Sequence, residues 1–468
     1  MQIDLQPPMR IEGVTQDGKP LVVTREGSAW FVQLQKHQRV GSHGAVRVDF
    51  SGVPKIAANP PWDGGLTWAK DDNGQDWVAT TCQMDGTSVW WPCKDHPYDE
   101  PDSMAIAITA PEHLVSVANG RLRNEQVNGD GTKTYTWFVS NPINNYGVNM
   151  NIGDYVHFGE VYQSEAGALD CDYFVLRDNL KKARTHFGQV PGMMDAFEHW
   201  FGPYPFYEDG FKLVEVPYPG MEHQSSVTYG NGYRNGYGGR DVSGTGWGYN
   251  FDFMIIHETG HEWFANSITN RDIADMWVHE GFTAYSEGLY LDFHYGKDAA
   301  TEYVIGTRRN IRNDRPIIGT YGVNARGSGD MYSKGANVLH MIRTLIDDDA
   351  QWRTILRGLN KEFYHQTVSS QQIEAYINAH TDVDLTAFFD QYLRTTMIPE
   401  LEIERSGSKL RYRWTNCVDG FDMPVRVRIG KEWLWLEPVM GWTEAGVVGE
   451  GDVVLDVNFY AKMTGYRN

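Results

Sequence analysis

The chain has 468 residues, of which 41 are Lys or Arg and 61 are Asp or Glu, a formal net charge of −20. That length accommodates about two to four domains, each with its own core. The charge argues against nucleic acid or an anionic membrane as partner, because a phosphate-binding face needs a basic patch, and its plainest reading is solubility or adaptation to salt or cold rather than steering of cationic peptides.

The opening Met1-Gln2-Ile3-Asp4-Leu5-Gln6 has neither the charged start nor the apolar stretch of a signal peptide, and no apolar run approaches membrane-spanning length. The expectation is a soluble protein without a membrane span, either cytoplasmic or the mature or truncated form of an exported bacterial protein. From Ile3 to about Tyr162 the chain reads as short β-rich runs separated by Gly, Asn and Asp turns: Leu21–Val23, Trp30–Val32, Val46–Phe50, Met104–Ile108 and Tyr135–Val139. Four cysteines, Cys82, Cys93, Cys171 and Cys417, lack C-x-x-C spacing, so no zinc finger or disulfide scaffold is implied. A Cys82–Cys93 bridge is left open by their closeness in sequence, and with it the redox compartment.

Helical spacing begins at Leu180 and runs through Trp200, and Pro203 to Pro205 end it before the strand Phe211–Val216. Residues 229–250 are rich in Gly, Tyr and Asn, without the Lys-Ser/Thr of a phosphate-cradling loop. They read either as a mobile wall of a site or as a plain connection. Helices then dominate to about Leu393, and after Ile398-Pro399 the period returns to two in Leu401–Glu404, Leu410–Trp414, Val425–Ile429 and Trp433–Leu436, which predicts a small terminal β-sandwich.

The chemistry sits at the start of the helical part. His257-Glu258-Thr259-Gly260-His261 follows the apolar run Phe251–Ile256, and Glu280 comes after a gap of 18 residues in Trp277-Val278-His279-Glu280-Gly281-Phe282. On a helix the two histidines at i and i+4 share one face and both imidazoles can reach one ion, with Glu258 beside any water that ion holds. His257, His261 and Glu280 then leave a tetrahedral zinc with its fourth position open, the catalytic kind of site. Glu258 is placed to take a proton from the zinc-activated water.

These segments resemble the zinc core of peptidase family M1, the aminopeptidase N and leukotriene hydrolase family. Three further stretches match in that family's order. Pro217-Tyr218-Pro219-Gly220-Met221-Glu222-His223 lies where the family has its Gly-x-Met-Glu-Asn strand. Met331-Tyr332-Ser333-Lys334-Gly335-Ala336 lies where it has its Tyr-x-Lys-Gly helix start. Cys82-Gln83, upstream of Pro92-Cys93-Lys94-Asp95, resembles the stretch ending in a Phe-Pro-Cys-x-Asp-Glu-Pro signature. The chain departs at Pro219, His223 and His279, and the signature after Cys93 is stretched by His96-Pro97-Tyr98.

The resemblance implies an α+β multidomain gluzincin. Its N-terminal β domain, residues 1–162, would be saddle-like and would lack its first strands. A thermolysin-like, mainly helical zinc-peptidase domain would occupy 163–396 and a C-terminal β-sandwich 397–468. It implies one Zn2+ per chain and a metalloaminopeptidase that hydrolyses the N-terminal peptide bond of peptides with a free N-terminus. Tyr332 would donate to the developing oxyanion. Glu222, helped by Gln83 and flanked by Gly220 and Met221, would bind the substrate's α-ammonium. His223, beside Glu222, could add a protonatable group near that amine and weaken the free-amine preference below about pH 6.5, or it could be a histidine packed on the strand. The other readings are the epoxide hydrolysis of the leukotriene branch and a peptide-binding family member without catalysis. Oligomeric state and the preferred N-terminal residue are not written in the sequence.

Overall fold

The computed structural model describes residues 1–83 and 85–465 and divides into two compact units, one formed by Met1–Pro191 with Tyr204–Arg234 and the other by Gly192–Pro203 with Asn235–Asn468. Among the described residues no helix is long and apolar enough to cross a membrane.

The first unit is built from strands. Its period-2 patterning works as the sequence predicts: in Met104–Pro111 the side chains of Ile106, Ile108 and Ala110 point inward while their neighbours are exposed. That strand pairs antiparallel with Thr132–Val139, whose Tyr135, Trp137 and Val139 join the same core with Val117, Ile143 and Val148. A five-stranded sheet carries the residues of interest. Tyr155–Ser164 and Gly167–Leu176 form an antiparallel hairpin, Phe211–Glu215 runs parallel to the second of them, and Val227–Tyr229 runs parallel to Phe211–Glu215. The sheet ends on the two-residue strand Gly220–Met221, antiparallel to Val227–Tyr229. Phe211–Glu215 is buried on both faces, as a central strand should be. Its two charges are answered inside: the Lys212 ammonium donates to the Gly120 carbonyl, and Glu215 accepts from the Leu176 amide at 2.8 Å and from Asn179 at 2.7 Å.

The four cysteines are free thiols, so the bridge left open to Cys82 and Cys93 is not formed, and burial pushes both of these thiols up in pKa.

The second unit is mainly helical up to Arg394 and then turns to strands. Thr443–Val447, Lys409–Thr415, Glu400–Ser406 and Lys462–Thr464 form one sheet; Glu432–Leu436, Val425–Ile429 and Val453–Leu455 form another. Alternation again selects the inner face: Leu410, Tyr412 and Trp414 are buried between exposed or half-buried neighbours. The last three residues of the expected C-terminal domain lie outside the described ones. These strands are tied to the helices by Arg308, whose guanidinium donates to the Val457 and Asn458 carbonyls, and by the Tyr392 hydroxyl, which donates to the Tyr460 carbonyl at 2.9 Å.

Candidate active site

In the second unit the helix Phe253–Gly260 starts at Asp252, whose carboxylate accepts from the amides of Met254 at 2.9 Å and Ile255 at 3.3 Å and so satisfies two donors that a helix start leaves open. Six residues of this helix from Met254 to Thr259, and Gly260 after them, are buried, which places His257 and Glu258 in the interior rather than on a solvated face. Past His261 the chain leaves helical backbone at Phe264 (φ −122°, ψ 80°). The break frees the Phe264 carbonyl, which turns back to 3.1 Å from His261 Nδ1. The Thr283 hydroxyl stands 3.0 Å from the same nitrogen. His257 Nδ1 is 2.8 Å from Glu287 Oε1, and the other Glu287 oxygen accepts from the Tyr303 hydroxyl. With both Nδ1 atoms engaged, both Nε2 atoms are left facing Glu280.

Glu280 belongs to the helix Trp277–Tyr295, and its Oε2 lies 3.4 Å from His261 Nε2 and 3.6 Å from His257 Nε2. Two ligands each about 2.1 Å from one tetrahedral ion stand about 3.4 Å apart, so both distances from Glu280 Oε2 are of the size that a shared zinc imposes. Direct hydrogen bonding does not account for them, because both distances exceed its range. Glu280 Oε2 is buried with no hydrogen-bond partner among the described residues, a position that is costly without a cation. Electrostatics point the same way. Burial works against a charge on His257, yet Glu280, Glu287 and Glu258 outweigh it and hold its pKa well above the ordinary value. Burial alone would raise the Glu280 carboxyl, and the facing imidazoles of His261 and His257 instead pull it down. The pocket is therefore built to attract positive charge, and His257, His261 and Glu280 fit a divalent zinc.

Tyr332 stands just before the helix Ser333–Ile346 and its ring lies 6.0 Å from that of His257 at an interplanar angle of 27°. The turn leading to it is fixed by Ser328, which accepts from the Asp330 amide at 3.0 Å, and by Asp330, which accepts from the amides of Arg312 and Asn313. Two glycines set the distance between the helices that carry Glu280 and Tyr332. A Cβ on Gly335 would come 2.8 Å from the Gly281 Cα, and one on Gly281 would come 3.3 Å from the Gly335 Cα. The two main chains approach each other there, one residue from Glu280.

The Gly- and Tyr-rich stretch is, within the second unit, a hydrogen-bonded structure. The Gly236 amide donates to the Phe251 carbonyl at 2.7 Å, and the Asp241 carboxylate accepts from the Ser243 and Gly246 amides at 2.9 and 2.6 Å. Tyr237 packs edge-on against Phe253 with ring centroids 5.2 Å apart, and Phe253 stacks on His257 at 4.9 Å.

In the first unit Gln83 Nε2 donates to Glu222 Oε1 at 2.5 Å. Glu222 follows the edge strand Gly220–Met221 and all three residues are buried. Thr228 holds this strand to the next one by donating to the Met221 carbonyl at 3.1 Å. His223 is fully buried with Nδ1 3.2 Å from the Thr228 hydroxyl, and burial lowers its pKa to about 3. It stays neutral across the range in which the expected pH effect was placed, so that expectation is corrected in favour of a packed structural histidine. His279 is also structural: its Nε2 accepts from the Asn270 amide at 2.7 Å, and burial lowers its pKa to about 3.

Sequence reasoning passed over Glu287, Thr283, Tyr303 and Phe253. Glu287 had a readable signal, since it lies seven residues, two helical turns, beyond Glu280 on one helix face. Tyr303 and Phe253 had none.

Residues 187–392 match the model of the family described as "Peptidase family M1 domain". Leucine aminopeptidase 2 of Vanderwaltozyma polyspora is 26% identical over 332 residues, covering 66% of this chain and 46% of that protein. Endoplasmic reticulum aminopeptidase 1 of Rattus norvegicus is 22% identical over 302 residues, 62% of this chain and 32% of its own. The chain thus spans less than half the length of these relatives. Among solved structures, an M1 zinc metallopeptidase variant from Deinococcus radiodurans bound to a Tyr-Ser-Ala substrate superposes with a TM-score of 0.69 at 19% identity, covering 85% of this chain and 87% of that one. Legionella pneumophila aminopeptidase A in complex with aspartic acid gives 0.78 at 14% identity, over 100% of this chain and 55% of its own.

Proposed function

With residues 187–392 belonging to peptidase family M1 as the premise, we propose that this chain is a zinc-dependent aminopeptidase, hydrolysing the first peptide bond of peptides with a free N-terminus. The observation that carries the reading is the tetrahedral-edge distance of the orphaned Glu280 Oε2 from His257 Nε2 and from His261 Nε2. The aminopeptidase names of the relatives and the zinc metallopeptidase neighbours support it.

A zinc held by these three side chains supplies Lewis-acid polarisation of the scissile carbonyl and lowers the pKa of a water toward about 7. Glu258 is buried on the same helix, one residue past His257, and takes the proton of the attacking water on its carboxylate. The same carboxyl then delivers that proton to the departing amine nitrogen. Tyr332, whose ring stacks near that of His257, donates its hydroxyl proton in a hydrogen bond to the substrate oxygen as that oxygen gains charge.

Glu222 is assigned the substrate's α-ammonium. Its carboxylate is preorganised by Gln83, so pairing with the ammonium needs little further ordering. Gly220–Met221 ends its sheet and offers backbone groups along which an extended peptide can pair as a further strand. The deciding experiment is hydrolysis of aminoacyl fluorogenic substrates and free peptides by the zinc-loaded protein with and without 1,10-phenanthroline. Release of N-terminal residues that the chelator stops is expected. Absence of any hydrolysis, or hydrolysis indifferent to the chelator, rejects the reading.

A further inference from the structure

The loop 235–250 carries a feature that the aminopeptidase reading does not use. Tyr237 and Arg240 exchange both backbone hydrogen bonds, Tyr237 N to Arg240 O at 2.8 Å and Arg240 N to Tyr237 O at 3.1 Å. The two residues between them, Gly238 and Gly239, have φ of 57° and 84°, the left-handed pair that a tight hairpin turn of right-handed strand twist requires. Side chains directly opposite one another across such a pair lie on the same face of the hairpin. For Tyr237 that face is known: its ring packs on Phe253, which stacks on the zinc-motif histidine His257.

Arg240 therefore stands on the side of the hairpin turned toward the catalytic helix. Its guanidinium is exposed and forms no ion pair with any described residue, although the chain carries 61 acidic side chains against 41 basic ones. The hairpin is held in place at its base by the Gly236 amide on the Phe251 carbonyl. The environment of Tyr237 agrees with this placement. Burial raises its phenol pKa, the Glu258 charge adds to that rise, and the Arg240 charge offsets part of it, so the tyrosine feels both the general base and the arginine.

We propose that this hairpin is a subsite on the departing side of the scissile bond, in which Arg240 pairs with the terminal carboxylate of a short peptide while the Tyr237 ring flanks the peptide. This rests on the aminopeptidase reading and narrows its substrate class to peptides of very few residues with a free C-terminus. The two ring contacts that link His257 to Tyr237 through Phe253, 4.9 and 5.2 Å, keep the Tyr237 ring no farther from the His257 ring than about three extended residues span at roughly 3.3 to 3.6 Å each. A planar guanidinium is the side chain best matched to a carboxylate, which it engages through two parallel hydrogen bonds.

The test compares a tripeptide with its C-terminal amide and with a long peptide of the same N-terminal sequence, on the zinc-loaded wild type and on Arg240→Ala and Arg240→Lys. The wild type is expected to favour the free tripeptide over its amide by about ten- to a hundredfold in kcat/KM, the scale of a charge-assisted pair. Arg240→Ala should erase that preference by raising KM for the free tripeptide with kcat retained, and Arg240→Lys should restore part of it. Equal kcat/KM for acid and amide in the wild type overturns the subsite, as does a loss in Arg240→Ala that is equally large on the amide. Preference for the long peptide overturns the size class. If the wild type hydrolyses none of the three, the aminopeptidase reading falls and the subsite with it, an outcome distinct from turnover without carboxylate preference.

Discussion

Glu287 Oε1 and His257 Nδ1 stand 2.8 Å apart inside the second unit, and Tyr303 holds the other Glu287 oxygen. A carboxylate in this position fixes the tautomer and the plane of the imidazole and raises its basicity toward a metal. Glu287→Gln keeps the shape and removes the charge. Zinc affinity is expected to fall about 10- to 100-fold, read by competition with a chelating dye, and an unchanged affinity would show that the pair only packs.

Chelation should remove activity and stability together. The buried carboxylates Glu258, Glu280 and Glu287 all act on His257, and without a cation their negative charges stay crowded in the interior. Metal analysis is expected to give about one zinc per chain, the complement of a single three-ligand site, and the thermal midpoint should drop on chelation and recover with added zinc. A chain that shows no zinc affinity while fully folded would remove the metal site.

Glu258→Gln separates holding the metal from using it. The amide preserves volume but cannot take a proton, so zinc content should stay at the wild-type level while kcat falls by several orders of magnitude, the scale of losing a general base together with its coupled steps. Near-native turnover would assign the proton transfer elsewhere.

Selectivity for the amino terminus should reside in Glu222. An N-acetylated peptide, which has lost the ammonium, should be a poor substrate, and Glu222→Ala should cost about 1.5 to 3 kcal/mol in transition-state stabilisation, roughly one to two decades in kcat/KM. Equal cleavage of the free and acetylated peptides by the wild type would reject the assignment.

Acid should destabilise the fold through buried neutral histidines. Burial lowers the pKa of His223 to about 3 and that of His340 to about 4, below the value near 6.5 of an unfolded histidine. The unfolded chain then binds more protons than the native one, so stability falls as pH drops below about 6.5, by up to about 1.4 kcal/mol per pH unit for each group. The loss continues until the folded values are reached. Denaturant melts at pH 7 and pH 5 check the direction, and His223→Asn should flatten the slope by up to one proton. A slope unchanged in that variant would mean His223 is protonated in the native state.

The candidate metal set His257, His261 and Glu280 was legible because one helix and the start of another carry these residues, and helical spacing is a local property of sequence. The β segments were legible for the same reason: Met104–Ile108 and Leu410–Trp414 alternate with the pleat. Glu222 and Gln83 lie 139 positions apart, and nothing local in the chain links them; only resemblance to a family put them in one sentence. His223 was left between two readings because its titration depends on burial, a tertiary quantity, and burial favours the packed one. The stretch 229–250 was undecidable, since Gly and Asn form turns in any setting and the pins at Phe251 and Asp241 appear only in the fold.

The crossing at Gly281 and Gly335 has a mechanical meaning. Helices that meet through interleaved side chains have slack, because rotamers can change and the gap can breathe by fractions of an ångström. Here the two main chains bear directly on each other, one residue beyond Glu280 and three beyond Tyr332. Glu280 and Tyr332 are thereby joined by a stop rather than a spring. Whatever flexing occurs elsewhere, the spacing between the segments that carry Glu280 and Tyr332 behaves as a fixed gauge length. Inserting one methyl group at Gly335 would reset that gauge without touching any group that meets the substrate.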